Sequence, residues 1–177
     1  MARNIEIKAV VADPAALHRR AVALATDGPY VLEQHDTFFE CSRGRLKLRR
    51  IDDGTAELIF YRRPDATGPK TCEYERSPVA DPEALADVLA QAWGVRGEVR
   101  KTRTLYFVER ARIHLDQVER LGDFMELEVV LGADESIAQG EREAERLMAA
   151  LGIADSDLLE GAYIDRLSGK ADPGTRA

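Results

Sequence analysis

The chain has 177 residues, 45% of them hydrophobic and 32% charged, and its 25 Lys and Arg against 32 Asp and Glu give a formal net charge of -7. That length supports one globular domain with its own core, and the negative balance argues against a nucleic-acid partner, because phosphate-backbone affinity needs a net or clustered positive surface. The two cysteines, Cys41 and Cys72, share no metal-binding spacing and read as reduced thiols; with no signal-peptide core and no apolar run of membrane length, a cytoplasmic protein without a membrane partner is expected.

In chain order, Asn4-Ile5-Glu6-Ile7-Lys8 alternates apolar and polar residues and predicts a strand. Asp13-Pro14 then supplies a helix N-cap followed by Pro at the first helical position, and Leu17, Ala21, Leu24 and Ala25 recur at helical spacing up to Gly28-Pro29. His35 falls in a stretch read as a loop, and His18 in the helix; neither has a metal-binding neighbourhood. Strands follow at residues 45–49, 57–62 and 71–76, the last with Glu73 and Glu75 on one side. Asp81-Pro82 opens a second helix carrying Leu85, Val88, Leu89 and Trp93, with Trp93 expected in the core and Gly94 as the stop.

Three more strands are predicted over residues 100–108, 110–118 and 124–131. In the second of these His114 and Asp116 share a face; in the third Glu126 and Glu128 face one way and Leu127, Val129 and Leu131 the other. A third helix runs from about residue 135 to 152, its Glu141, Arg142, Glu143, Glu145 and Arg146 reading as a solvated face. A short element is centred on Tyr163-Ile164-Asp165, where packing and substrate contact are both open. The expected organisation is a single domain over residues 1–168 and a flexible tail over 169–177. The fold class is α+β, a mostly antiparallel sheet with helices outside.

The charged faces of these strands are sorted by sign. Lys47 and Arg49 are purely basic, as are Lys101 and Arg103, whereas Glu73 with Glu75 and Glu126 with Glu128 are purely acidic. A solvated sheet face usually mixes signs, because like charges in a row repel. Sorting by strand leaves two readings open: a solvated face, or a closed barrel whose apolar faces lie under the helices and whose charged faces line a channel. Acids at i and i+2 on neighbouring strands would suit a hard divalent cation, and basic pairs opposite them would hold phosphates.

Several stretches together resemble the CYTH family of triphosphate tunnel enzymes, which includes class IV adenylyl cyclases, thiamine triphosphatases and inorganic triphosphatases. Asn4-Ile5-Glu6-Ile7-Lys8 resembles the family's ExExK signature, and Arg45-Leu46-Lys47-Leu48-Arg49, Tyr61-Arg62-Arg63-Pro64, Glu73-Tyr74-Glu75, Lys101-Thr102-Arg103, Ile113-His114-Leu115-Asp116 and Phe124-Met125-Glu126-Leu127-Glu128 follow in the expected order. The resemblance spans residues 3 to 168 and implies a closed β-barrel tunnel. It implies Glu6, Glu126 and Glu128 as ligands of Mg²⁺ or Mn²⁺. Lys8, Lys47, Arg49, Arg62, Lys101 and Arg103 would grip a small-molecule triphosphate. Lys8 and Asp116 would belong to the catalytic group, Asp116 either as a further ligand or as an acid that orients the ligands.

One residue departs from the signature: Asn4 stands where the family has its first Glu, and a neutral carbonyl oxygen there weakens one cation position. Glu73 and Glu75 read as channel acids or as ion-pair partners of Lys47 and Arg49. His114 reads as a hydrogen-bonding residue, with proton transfer as the sharper alternative. The resemblance implies a metal-dependent triphosphatase, with a class IV-type adenylyl cyclase as the alternative and a non-catalytic polyphosphate- or nucleotide-binding module as a third reading. The oligomeric state stays open, a homodimer included.

Overall fold

The computed structural model describes residues 1–167, and the tail expected over 169–177 lies outside the described residues. In order the elements are β1 (Ala2–Val10), α1 (Pro14–Leu24), β2 (Asp27–Phe39), β3 (Arg45–Ile51), β4 (Ala56–Arg62), β5 (Lys70–Pro78), α2 (Pro82–Trp93), β6 (Val95–Val108), β7 (Ala111–Val118), β8 (Gly122–Leu131), α3 (Ile137–Leu151), a 3₁₀ turn (Asp155–Asp157) and α4 (Tyr163–Leu167). The strands close into a barrel in the order β1-β5-β4-β3-β2-β6-β7-β8, every neighbour antiparallel and β8 paired back onto β1. Closure pairs both margins of the sheet.

The helices begin where the sequence marks them. The Asp13 carboxylate accepts from the Ala16 amide at 2.9 Å and that of Asp81 from the Ala84 amide at 3.0 Å, each satisfying one orphan donor of a first turn. Ser136 and Gln139 form a reciprocal capping box on α3, and Gly152 ends it in the left-handed conformation at φ 71°. Among the described residues no helix is long and apolar enough to cross a membrane.

The apolar core lies outside the barrel. The outward side chains of Ile5, Ile7, Tyr106, Ile113, Met125, Leu127 and Val129 pack under Leu17 and Ala21 of α1 and Ala144, Leu147 and Leu151 of α3. Gly140 lets α3 approach the sheet, since a Cβ there would meet Leu131 Cδ2 at 2.6 Å and Ile5 Cγ1 at 2.7 Å. A second cluster places Leu85, Leu89 and Ala90 of α2 over Phe39, Leu46 and Leu48. The third is at one end of the barrel, where Ala162, Tyr163 and Ile164 meet Phe38, Val99, Val118 and Phe124.

Two expectations are corrected. The stretch containing His35 is a strand of 13 residues, β2, and His35 lies on its outer face beside Glu98 at 3.1 Å. Both faces of this strand mix polar and apolar residues, so it carries no period of two. Trp93 is 56% exposed rather than buried, because α2 ends there and its buried contacts are made by Leu89 one turn earlier.

Candidate active site

The inward positions of the strands enclose a cavity of about 440 Å³. Because Ile5 and Ile7 turn outward to the helices, the alternation of β1 puts Asn4, Glu6 and Lys8 inside, buried to within 3%, 7% and 3% exposure. The register then sets their neighbours: Glu6 faces Glu128 and Lys8 faces Glu126 across β1 and β8, while Arg112 faces Glu128 and His114 faces Glu126 across β7 and β8. Lys47, Arg49, Arg63, Arg76, Lys101, Arg103 and Arg112 join Lys8 on the wall, so that eight basic side chains face the five carboxylates of Glu6, Asp36, Glu57, Glu126 and Glu128. The lumen of an acidic protein is therefore net positive, and favours a multiply charged anion.

Two buried carboxylates hold the basic pairs in place. Asp36 accepts Lys47 Nζ at 2.8 Å and the Arg49 guanidinium at 2.7 and 2.8 Å. Asp116 accepts Arg103 through Nε and Nη2, both at 2.6 Å, Lys101 Nζ at 3.3 Å and the Tyr163 hydroxyl at 3.1 Å. Burial opposes ionisation of both acids, yet the adjacent cations, Arg49 and Lys47 for Asp36, Arg103 and Lys101 for Asp116, hold them below the usual carboxylate range. Lys47 bears the other side of this arrangement: burial, then the nearby Arg49, pushes its ammonium down to about 7.

The remaining acids pair with wall cations. Glu126 binds Lys8 at 2.6 Å and Arg103 at 2.5 Å, Glu128 binds Arg112 at 3.2 Å, and Glu6 pairs with Arg63. Burial would raise Glu126, but Lys8 and Arg103 hold it well below its ordinary value. Among the described residues four lining side chains each bury an atom without a hydrogen-bond partner: Asn4 Oδ1, Gln34 Oε1, Arg63 Nε and His114 Nδ1. At one end α4 lies across the barrel with the Tyr163 ring 3.5 Å from Lys8 Nζ. Asp165 anchors α4 by accepting Arg45 at 2.9 Å and the Ala162 amide at 2.8 Å, with Arg96 also on its carboxylate. At the opposite strand ends the lining turns apolar with Leu32, Ile51, Leu105 and Phe107.

Of the residues expected at the site, Asn4, Glu6, Lys8, Lys47, Arg49, Lys101, Arg103, His114, Glu126 and Glu128 line this one cavity. Arg62, Glu73 and Glu75 do not. Arg62 is half exposed and pairs with Glu73 at 3.2 Å beside an outer hollow, and Glu75 pairs with the N-terminal amine at 2.9 Å. In β4 the odd residues Glu57, Ile59 and Tyr61 point inward, so Arg63 rather than Arg62 enters the lumen, and in β5 the inward residues are Cys72, Tyr74 and Arg76. The contacts of Asp116 are to Lys101, Arg103 and Tyr163, and its side chain is 0% exposed behind them. It positions the basic pair and does not face the cavity. Sequence reading missed Asp36, Arg63 and Arg112; for Arg112 the signal was its i−2 spacing from His114.

The fold and site together define a closed antiparallel barrel around a net-positive lumen, with Glu6, Glu126 and Glu128 grouped on two adjacent strands. A model of the CYTH domain matches residues 2–163. The chain belongs to the CYTH family. Similar solved structures include the PH1012 protein of Pyrococcus horikoshii OT3, at 25% identity and TM-score 0.82 over 92% of this chain and 98% of that one. A protein from Vibrio parahaemolyticus described as a candidate adenylate cyclase superimposes at 18% identity and TM-score 0.78 over 94% and 98% of the two chains. HpAC1 of Hippeastrum, a candidate adenylyl cyclase described as having a dominant triphosphatase activity, does so at 19% identity and TM-score 0.67 over 98% of each. No curated protein sequence matches the chain.

Proposed function

We propose that the chain is a divalent-metal-dependent triphosphatase that holds its substrate in the barrel lumen. The observation that carries this reading is the excess of basic over acidic side chains lining the cavity within the closed barrel, which suits the roughly four negative charges of a triphosphate. Lys8, Lys47, Arg49, Lys101 and Arg103 grip the phosphates, joined by Arg63 and Arg112 in place of Arg62. Guanidinium forks meet two phosphate oxygens at once, and Asp36 and Asp116 hold those of Arg49 and Arg103 in a fixed plane before substrate arrives. Such fixed cations stabilise charge that grows on the phosphoryl oxygens without reorganising during transfer.

The acids on β1 and β8 suit a hard cation, Mg²⁺ or Mn²⁺: Glu126 and Glu128 share the inward face of β8, Glu6 is the register partner of Glu128 across β1, and Asn4 on the same face of β1 has an unpartnered carbonyl oxygen. When bound, that ion would neutralise phosphate charge and promote ionisation of a water. Lys8, between Glu126 and Tyr163, is placed to follow the phosphoryl group.

A class IV-type adenylyl cyclase is the second reading, favoured by the apolar lining of Leu32, Leu105 and Phe107, which would accept an organic group attached to the triphosphate. Incubation with inorganic triphosphate, thiamine triphosphate and ATP, each with Mg²⁺ or Mn²⁺, separates the readings. Phosphate release supports the triphosphatase and cyclic AMP the cyclase. Tight binding of all three without turnover would overturn both and leave a binding module.

A further inference from the structure

The carboxylates of Glu126 and Glu128 meet a nitrogen on the facing strand. His114 is 4% exposed and its Nδ1 has no hydrogen-bond partner. That nitrogen stands 3.8 Å from Glu126 Oε2 and 3.9 Å from Glu128 Oε1, and the three residues offer ligand atoms within 4.8 Å of one another. Two ligands held about 2.1 Å from one ion are themselves about 3–4 Å apart, so the spacing is that of a cation site. A buried ring nitrogen aimed at carboxylates without a partner is unfavourable unless something meets it.

The competing groups leave room for an ion. Arg112 holds Glu128 through Oε2, leaving Oε1 toward His114, and Lys8 takes Oε1 of Glu126. Arg103 donates to Glu126 Oε2, an atom with a further lone pair. By contrast, Glu6 is engaged by Arg63. All three ligand positions are on the paired strands β7 and β8, where His114 and Glu126 are direct cross-strand partners, so the sheet fixes their geometry.

We propose that His114 Nδ1 completes a mixed nitrogen-and-oxygen metal site with Glu126 and Glu128, and that this site prefers a borderline transition metal ion such as Zn²⁺ or Co²⁺ over Mg²⁺, binding it without any triphosphate. Imidazole nitrogen suits zinc, copper, iron and nickel, whereas magnesium selects oxygen and keeps its waters. The inference rests on reading Glu126 and Glu128 as cation-holding acids and adds the ligand that sets which cation they take.

The test uses chelator-stripped full-length protein with no triphosphate present. The chain has three histidines, so ¹⁵N-histidine resonances can be followed during Zn²⁺ titration with His18 and His35 as internal controls. One equivalent of Zn²⁺ is expected to shift the His114 Nδ1 resonance alone. Calorimetric titration is expected to give Zn²⁺ and Co²⁺ at least about tenfold tighter than Mg²⁺, and His114→Asn, which offers a carbonyl oxygen instead, to reduce that ratio about tenfold. A His114 resonance unmoved by Zn²⁺, or a ratio unchanged in a folded His114→Asn variant, overturns the proposal; the wild-type resonance decides even if the variant is unstable. A protein without triphosphatase activity could still pass this test, and an active enzyme whose His114 stays metal-free would fail it.

Discussion

Replacing Asp116 by Asn keeps the shape of the side chain and removes the charge that holds Lys101, Arg103 and Tyr163 together. The carboxylate is fully buried and accepts two bonds from Arg103 at 2.6 Å. Breaking a buried ion pair from one side costs about 3–5 kcal/mol; because Arg103 keeps Glu126 at 2.5 Å, the lower figure applies, about 3 kcal/mol. For a chain of this length, about 2–4 °C per kcal/mol gives a melting temperature lowered by about 6–12 °C. Thermal melts followed by circular dichroism, with and without inorganic triphosphate and without metal, provide the assay. Triphosphate should stabilise the variant more than the wild type, because its oxygens replace the missing partner.

The pH dependence has a definite sign. Asp116 is held below its ordinary value, so its contribution is present above the unfolded pKa of about 3.9 and lost as pH falls toward the lower folded value. The gap between wild type and variant should therefore narrow in acid. A melting temperature within about 2 °C of wild type at neutral pH, or equal stabilisation of both proteins by triphosphate, would refute this account of the buried pair.

Three further outcomes are expected. Arg63→Ala should weaken triphosphate binding by about ten- to a hundredfold, the value of a hydrogen bond to a charged group, while Arg62→Ala stays near wild type; calorimetric titration of both reads the difference. Because Lys47 is pushed down to about 7, an arriving anion should raise it again, so binding at pH 7–8 takes up protons and weakens as pH rises. An enthalpy independent of the buffer's ionisation heat would contradict that. Gly140→Ala gains helix propensity but drives a methyl to 2.6 Å from Leu131 Cδ2; urea unfolding should show a net loss of about 1 kcal/mol, and an unchanged midpoint would exclude the close approach.

Strands with one apolar and one charged face were legible from the sequence. Ile5 and Ile7 against Glu6 and Lys8, and Leu127 and Val129 against Glu126 and Glu128, fix which side meets the helices, and the two Asp-Pro caps fix where α1 and α2 begin. Parity fails where both faces are apolar. Leu58-Ile59-Phe60-Tyr61 sends Leu58 and Phe60 to α2 and Ile59 and Tyr61 to the lumen, so nothing in the sequence says whether Arg62 or Arg63 turns in. Glu73 and Glu75 show the complementary limit: charge sorted onto one face leaves channel lining and pairing with Lys47 or Arg49 both open, and the two side chains instead lie toward solvent, paired with Arg62 and the N-terminal amine. Asp36 was hidden because Asp36 and Phe38 share the inward face of β2 while Thr37 and Phe39 share the other, which erases the alternation that would have revealed the strand.

The placement of two of the three apolar clusters on the outer surface of the barrel separates two tasks that most small domains assign to one interior. Adhesion between sheet and helices is written in one parity of each strand, and the chemistry of the lumen in the other. A change at one of the charged lumen positions lies across the sheet from the residues that pack under α1, α2 and α3, so it leaves that packing untouched as long as every enclosed charge retains a counter-charge. The barrel is thus a vessel whose wall and contents can be edited separately, and a new substrate would require a new pattern of ion pairs rather than a new fold.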